Sequence, residues 1–215
     1  MRRRYVWLAV LAACSLWGTL MIVPASAQLL EADAELDENS PNRNRGDEAT
    51  LNVRSWIAGD FRTLVRFDLS GIPASTPIDS ATLELCLDRI SGDKSTRTYG
   101  VHRVTKSWVE NQVTANQASD GVPWDNFFGD FDSNPTDIVG IDKDVLTNDP
   151  NVFISWDVTA DVQDFVDGIL VNNGWLIKDE SENKSALYRT DWVSRESISE
   201  PCIGASAPRL TVVTP

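Results

Sequence analysis

The stretch that most constrains this chain is Arg62-Thr-Leu-Val-Arg-Phe-Asp-Leu-Ser-Gly-Ile-Pro73, followed at once by Ile78-Asp-Ser-Ala-Thr-Leu-Glu-Leu-Cys-Leu87. Both runs alternate. Val65, Phe67 and Leu69 fall on one face, with Arg62, Leu64, Arg66 and Asp68 opposite. Leu83, Leu85 and Leu87 likewise oppose Thr82, Glu84, Cys86 and Asp88. Strand side chains have period two, so this predicts two half-buried strands. Ser70-Gly-Ile-Pro73 and Ser75-Thr-Pro77 separate them, a break of eight residues from Ser70 to Pro77. That is longer than a tight hairpin and lets the chain cross between sheets. The pair reads as the spine of a β-sandwich.

The first 27 residues stand apart. Arg2, Arg3 and Arg4 precede an apolar run from Val6 to Val23, which ends at Pro24-Ala-Ser-Ala27. A basic start, an apolar middle and a small-x-small end predict a secretory signal peptide cut after Ala27. The remaining domain, residues 28–215, is then secreted with no membrane insertion. Two alternatives stay open. The apolar run is about long enough to act as a membrane anchor. Leu11-Ala-Ala-Cys14 also fits a lipidation site at Cys14, although Leu16–Val23 would then remain as a greasy start to the chain.

Removing the leader leaves 188 residues, a size that suits one all-β domain. The leader carries three arginines and no acid, so 16 bases then face 32 acids, a formal charge of −16. Such a surface repels nucleic acid and anionic lipid. Two cysteines remain. Cys86 lies on the non-core face of its strand, where it can reach a loop, and secretion permits a disulfide. The expected bridge is Cys86–Cys202; the alternative is two free thiols.

Further strands are expected at Ala32–Leu36, Leu51–Ile57, Thr98–Val104, Asn151–Val158, Trp175–Lys178, Ala186–Trp192 and Arg209–Val213. Val162, Phe165, Val166 and Ile169 instead follow a helical period, with Thr159 as N-cap. The sum is an all-β chain, a jelly-roll β-sandwich of about nine strands with one short helix. Residues 118–150 form its loosest region, rich in Asp, Asn, Gly and Pro.

Candidate chemistry is sparse. The single histidine, His102, lies within a strand and reads as structural. Glu110, Asp125, Asp179 and Glu196 are the conceivable members of a glycosidase-like carboxylate pair, although a solvated acidic surface explains them more cheaply. Asp130-Phe-Asp-Ser-Asn134 resembles half of a calcium loop, but Pro135 stands where such loops need glycine. Asp130, Asp132 and Asn134 are thus candidate ligands for a structural calcium, and no other cofactor is required. Of six tryptophans beyond the leader, Trp108, Trp156 and Trp175 are assigned to packing. Trp56, Trp124 and Trp192 are the candidates for stacking on sugar rings.

The motifs then form a recognisable order. Asp33-Ala-Glu35, Ser40-Pro-Asn-Arg-Asn-Arg-Gly46, Leu64-Val-Arg-Phe-Asp-Leu-Ser70, Ala81-Thr-Leu-Glu-Leu85, Val104-Thr-Lys-Ser-Trp-Val-Glu110, Val113-Thr114, Asp157-Val-Thr159, Gly174-Trp175, Ser194-Arg-Glu196 and Pro208-Arg-Leu210 follow one another. Together they resemble the disaggregatase-related (DNRLRE) domain over residues 31–213. Thr114-Ala-Asn116 departs from the family's usual Thr-Trp-Asn. The resemblance implies a jelly-roll domain, secreted or at the cell surface, grouped with carbohydrate-binding modules, some of which bind uronate chains through basic residues. The expected function is therefore a non-catalytic module that binds polysaccharide. The alternatives are a structural domain of a surface assembly and, last, a polysaccharide-cleaving enzyme. The expected sugar face carries Trp56 with Arg54, Arg62 and Arg66, and a loop rim with Trp124 and Trp192 is the second choice. Pairing of those arginines with Asp68, Glu84 and Asp88 would leave no site.

Overall fold

The computed structural model describes residues 25–93, 95–148, 152–198, 202 and 207–215. The leader and Cys14 readings fall outside the described residues, apart from the last three positions of the leader. The strands are β1 (Ser26–Asp37), β2 (Thr50–Ser55), β3 (Phe61–Asp68), β4 (Ser80–Gly92), β5 (Arg97–Arg103), β6 (Gln117–Ser119), β7 (Val122–Pro123), β8 (Asp137–Ile141), β9 (Val152–Asp157), β10 (Trp175–Asp179), β11 (Tyr188–Val193) and β12 (Arg209–Val213). The helices are α1 (Val145–Asn148) and α2 (Thr159–Val166). The expectation of about nine strands and one helix missed the small β6-β7 pair, β8 and the single turn of α1.

All strand pairings are antiparallel. The main path runs β1-β12-β4-β11-β2-β3-β10-β5-β8, with β9 on the other edge of β4. β1 begins on β12 and continues along β3, which closes the path on itself. The result is a β-sandwich. One layer holds β9, β4, β12, β11 and β2; the other holds β1, β3, β10, β5 and β8. The alternation that predicted the spine is what fills the interior. Val65 and Phe67 of β3, and Leu83, Leu85 and Leu87 of β4, are buried in one core with Trp156, Trp175 and Trp192. Trp156 on β9 donates to the carbonyl of Tyr99 on β5 (3.2 Å), which ties the layers across that core.

The opposite face of β3 and β10 is covered as well. The segment from Val104 to Phe131 folds over it and forms a second core of Ala32, Ala34, Leu36, Leu64, Leu176, Trp108, Trp124 and Phe128. The region read as loose is thus partly a lid with its own hydrophobic anchors.

Two local expectations are corrected. Thr159 is the first residue of α2, not its cap; its hydroxyl accepts from the Ala81 amide (2.9 Å), and Asp157 Oδ1 accepts from the Thr159 amide (2.9 Å). Ile169 lies beyond the helix and is exposed, because the chain turns at Gly168 with φ +68°. The Cys86–Cys202 disulfide forms, with Cα atoms 6.1 Å apart, and packs with Val193 and Phe153.

Candidate functional site

The expected sugar face does not exist as one surface. Arg54 pairs with Phe61 across β2 and β3, and its guanidinium stacks on that ring at 3.7 Å. Arg62 and Arg66 sit one step out of phase with Phe61 on β3, so they point to the other side. There they serve the lid. Arg62 makes a two-pronged ion pair with Glu182 (2.7 and 2.8 Å), donates to the Phe128 carbonyl and stacks on the Phe128 ring. Arg66 does the same with Glu31, the Trp108 carbonyl and the Trp108 ring. The acids that hold them are not those expected, but both arginines are committed to holding the lid.

The rim tryptophans are also internal. Trp192 is fully buried in the main core, where its Nε1 donates to Thr190 Oγ1 (2.9 Å). It shares the parity of Tyr188 and Thr190, and all three face the interior, so β11 turns inward the side read as outward. Trp124 is buried in the second core and donates to the Thr114 carbonyl (2.8 Å). Only Trp56, half-buried just beyond β2, stays beside Arg54, at 5.6 Å from its guanidinium.

The other sequence candidates also resolve into partners. His102 is buried between the Asp132 carbonyl and Glu180 (both 2.8 Å). Asp125 pairs with Lys106 and Asp179 with Arg97 (2.6 Å each). Asp130 accepts from the amides of Asp125 and Asn126, while Asp132 pairs with Arg103 and caps the Asn134 amide.

Arg54 instead opens onto a polar cleft of about 400 Å³. β1 contributes Glu35, β2 Asn52 and Arg54, β3 Phe61 and β11 Arg189, with Arg45 and Glu48 from the segment between β1 and β2. Sheet register explains the crowding of cations. Arg189 lies directly opposite Arg54, a like-charge pairing that costs stability unless each charge is met elsewhere. Arg189 is met by Asp191 (2.6 Å). Arg54 Nε donates to the Gly59 carbonyl (2.8 Å), yet the residue has no ion pair among the described residues. Burial holds its guanidinium below the usual arginine range. Arg45 is shared between Asp37 (2.5 Å), Glu35 (3.3 Å) and Glu48 (3.4 Å). Glu35, itself buried, accepts from the Asn52 amide. Burial pushes its carboxyl up to about 7, more than Asn52 and Arg45 pull it down.

Seven buried side-chain polar atoms among the described residues lack a hydrogen-bond partner, and four of them belong to residues of this one cleft; Arg45 Nε and Glu35 Oε1 face each other as an ion pair at 3.3 Å, which leaves Arg54 Nη2 and Asn52 Oδ1 unmet. Buried polar groups are normally satisfied, so such a pair marks a place where a partner is missing. One of the two donates and the other accepts. A ligand that only accepts, such as a carboxylate, completes half of the set. A hydroxyl group donates and accepts, so a polyhydroxyl ligand completes all of it.

A model of the disaggregatase related repeat domain matches residues 33–200. The chain belongs to that family. The match spans β1 through β11, so both the cleft and the lid lie inside the domain. No curated protein matches the chain. The sequence reading named Arg54 and Trp56 but missed Glu35, Arg45, Asn52 and Arg189. A signal was available in β1, where Asp33, Glu35 and Asp37 alternate with Ala32, Ala34 and Leu36: a strand with acids on one face and small apolar residues on the other faces two different interiors.

Proposed function

We propose that this family member is a secreted, non-catalytic module that binds polysaccharide in the cleft between β1, β2 and β11. The observation that carries the reading is the pair of unpartnered buried atoms, the donor Arg54 Nη2 and the acceptor Asn52 Oδ1, on the wall of one cleft. Its charge supports a neutral sugar over a polyanion. Arg45, Arg54 and Arg189 are offset by Asp37, Glu48, Asp191 and the partly ionised Glu35. The Phe61 ring is already covered by Arg54, so recognition rests on hydrogen bonds, with half-buried Trp56 as the aromatic edge. Secretion is supported by the leader's composition and by a disulfide that suits an oxidising compartment.

A glycan array with the chain from Gln28 onward tests this. Arg54→Ala is expected to weaken binding at least tenfold, about 1.4 kcal/mol, while Arg62→Ala, which removes a stacked guanidinium outside the cleft, leaves binding unchanged. A second reading, a structural domain with no sugar ligand, draws on the commitment of Arg62 and Arg66 to the lid. An array with no glycan bound, or binding indifferent to Arg54→Ala, favours that reading.

A further inference from the structure

Next to the cleft, at the other acid of the Asp33-Ala-Glu35 motif, three carboxylates converge. Oxygens of Asp33, Glu110 and Glu196 all lie within 4.8 Å of one another. Each comes from a different part of the chain: β1, the turn after Trp108, and the Ser194-Arg-Glu196 turn after β11. The cluster is built, not incidental. The Asp33 amide donates to Glu110 Oε1 (2.8 Å), and the Arg195 amide donates to Asp33 Oδ2 (3.0 Å). The Arg195 guanidinium donates to both Glu110 and Glu196 and to the Glu31 carbonyl. Ser194 Oγ donates to Glu196 Oε2 (3.1 Å), and Asn44 holds the Glu110 carbonyl (2.7 Å).

Charge does not close here. Three carboxylates share one guanidinium. Asp33 is 1 % exposed, and no N–H or hydroxyl donor reaches its Oδ1; the Glu196 carboxyl group is its hydrogen-bonding neighbour, acid against acid. Burial, with Glu196 and Glu110 close by, pushes the Asp33 carboxyl up to about 8. A buried carboxylate oxygen that no donor reaches, beside two further carboxylates, asks for a cation.

We infer that Asp33, Glu110 and Glu196 form a calcium site that pins β1, the lid and the Ser194-Arg-Glu196 turn together. The donors are all oxygen, with no histidine or cysteine, which selects a hard cation over zinc or copper. The carboxylates reach in from three separate segments, an irregular set that suits calcium better than the strict octahedron of magnesium. Arg195, bonded to both glutamates, holds their orientation from outside. The inference stands independently of sugar binding.

The test uses the exported chain, stripped with EDTA and dialysed. Titration with CaCl2 in a calorimeter is expected to show one ion per chain, with Kd at or below about 1 mM, the range of extracellular calcium modules, and a higher melting temperature. Glu196→Gln keeps an oxygen for Ser194 and Arg195 but removes the charge, and is expected to weaken calcium at least tenfold. Asp125→Asn, at the remote Lys106 pair, is expected to leave it unchanged. If Glu196→Gln fails to fold, Asp33→Asn and Glu110→Gln serve in its place, and the wild-type stoichiometry stands as an independent readout. No heat and no thermal shift in wild-type protein at about 10 mM calcium, a tenfold excess over that range, overturns the site and leaves a carboxyl cluster that shares protons. Binding equally strong in the Glu196→Gln, Asp33→Asn and Glu110→Gln variants, or a response to magnesium alone, overturns it too.

Discussion

Glu35→Gln should make the protein more stable in mild base than the wild type, by an amount that grows with pH. Glu35 is 1 % exposed. Two forces act on its ionised form. Arg45 at 3.3 Å and the Asn52 amide favour it, while loss of water opposes it. Burial wins, and the carboxyl rises from an ordinary 4.5 to about 7. A group with a raised folded pKa holds its proton more tightly folded than unfolded. Its stabilising contribution is therefore complete below 4.5 and is lost as pH rises towards 7. At about 1.4 kcal/mol per unit, the loss is on the order of 3 kcal/mol. Glutamine mimics the protonated acid at every pH and suffers no such loss. Asp33 titrates in the same direction, but it does so in both proteins and cancels from the difference. So do the packing changes of the substitution itself. The measurement is urea unfolding of both proteins at about pH 4 and pH 8, with equal slopes confirming two-state behaviour. The stability of Glu35→Gln minus wild type should rise by about 3 kcal/mol between those limits. A difference that stays flat, or that falls with pH, refutes the reasoning, since it means that Arg45 keeps Glu35 ionised in the folded state.

Arg62→Ala and Arg66→Ala should leave sugar binding unchanged while lowering stability, by about 1 to 3 kcal/mol for each ion pair and stacked ring lost; glycan titration and thermal melts of the two variants check this together. Replacing both Cys86 and Cys202 with serine opens a cross-link of 116 residues in sequence separation and should cost about 2 to 5 kcal/mol, read as a shift in the urea midpoint. Gly174→Ala should be poorly tolerated, because Gly174 has φ +74° and an added Cβ would lie 2.1 Å from the Val65 carbonyl oxygen; a melting temperature within a degree or so of wild type would contradict that geometry.

Alternation was enough to find the main core. Val65, Phe67, Leu83, Leu85, Leu87 and Trp156 all point inward as their parity demands. It also placed Cys86 on the far side of β4, where Cys202 meets it. Parity says which residues share a face, however, and not what covers that face. Leu64 and Arg66 were on the face read as outward, yet Leu64 is fully buried because the lid lies over it. Trp124 belonged to a stretch with the composition of a loop, and only the packed lid shows it as an anchor. Trp192 obeys parity with Tyr188 and Thr190, and all three face the interior; what parity could not say is which side of β11 that interior lies on. Arg54 was grouped with Arg62 and Arg66 by assuming that neighbouring strands keep one phase, and the single Arg54–Phe61 pairing breaks that assumption.

The least legible feature was the chemistry of β1. A net charge of −13 makes any one acid read as ordinary solvated surface, Asp33, Glu35 and Asp37 included. All three are at most 2 % exposed. Three buried carboxylates on alternate residues cannot be left to water, so each needs a cation or a donor from elsewhere in the chain. Counting those cations divides the strand. Arg45 serves both Asp37 and Glu35, and the other oxygen of Glu35 accepts from the Asn52 side-chain amide at the cleft wall. Arg195 serves Glu110 and Glu196 with its side chain and gives Asp33 only a backbone amide. The charge that remains unmatched is therefore concentrated at Asp33, at the end of the strand where β1, the lid and the turn after β11 come together. The acids of one strand thus set the polarity of two neighbouring places: a mixed donor and acceptor wall beside Glu35, and a negative pocket with no donor to spare around Asp33.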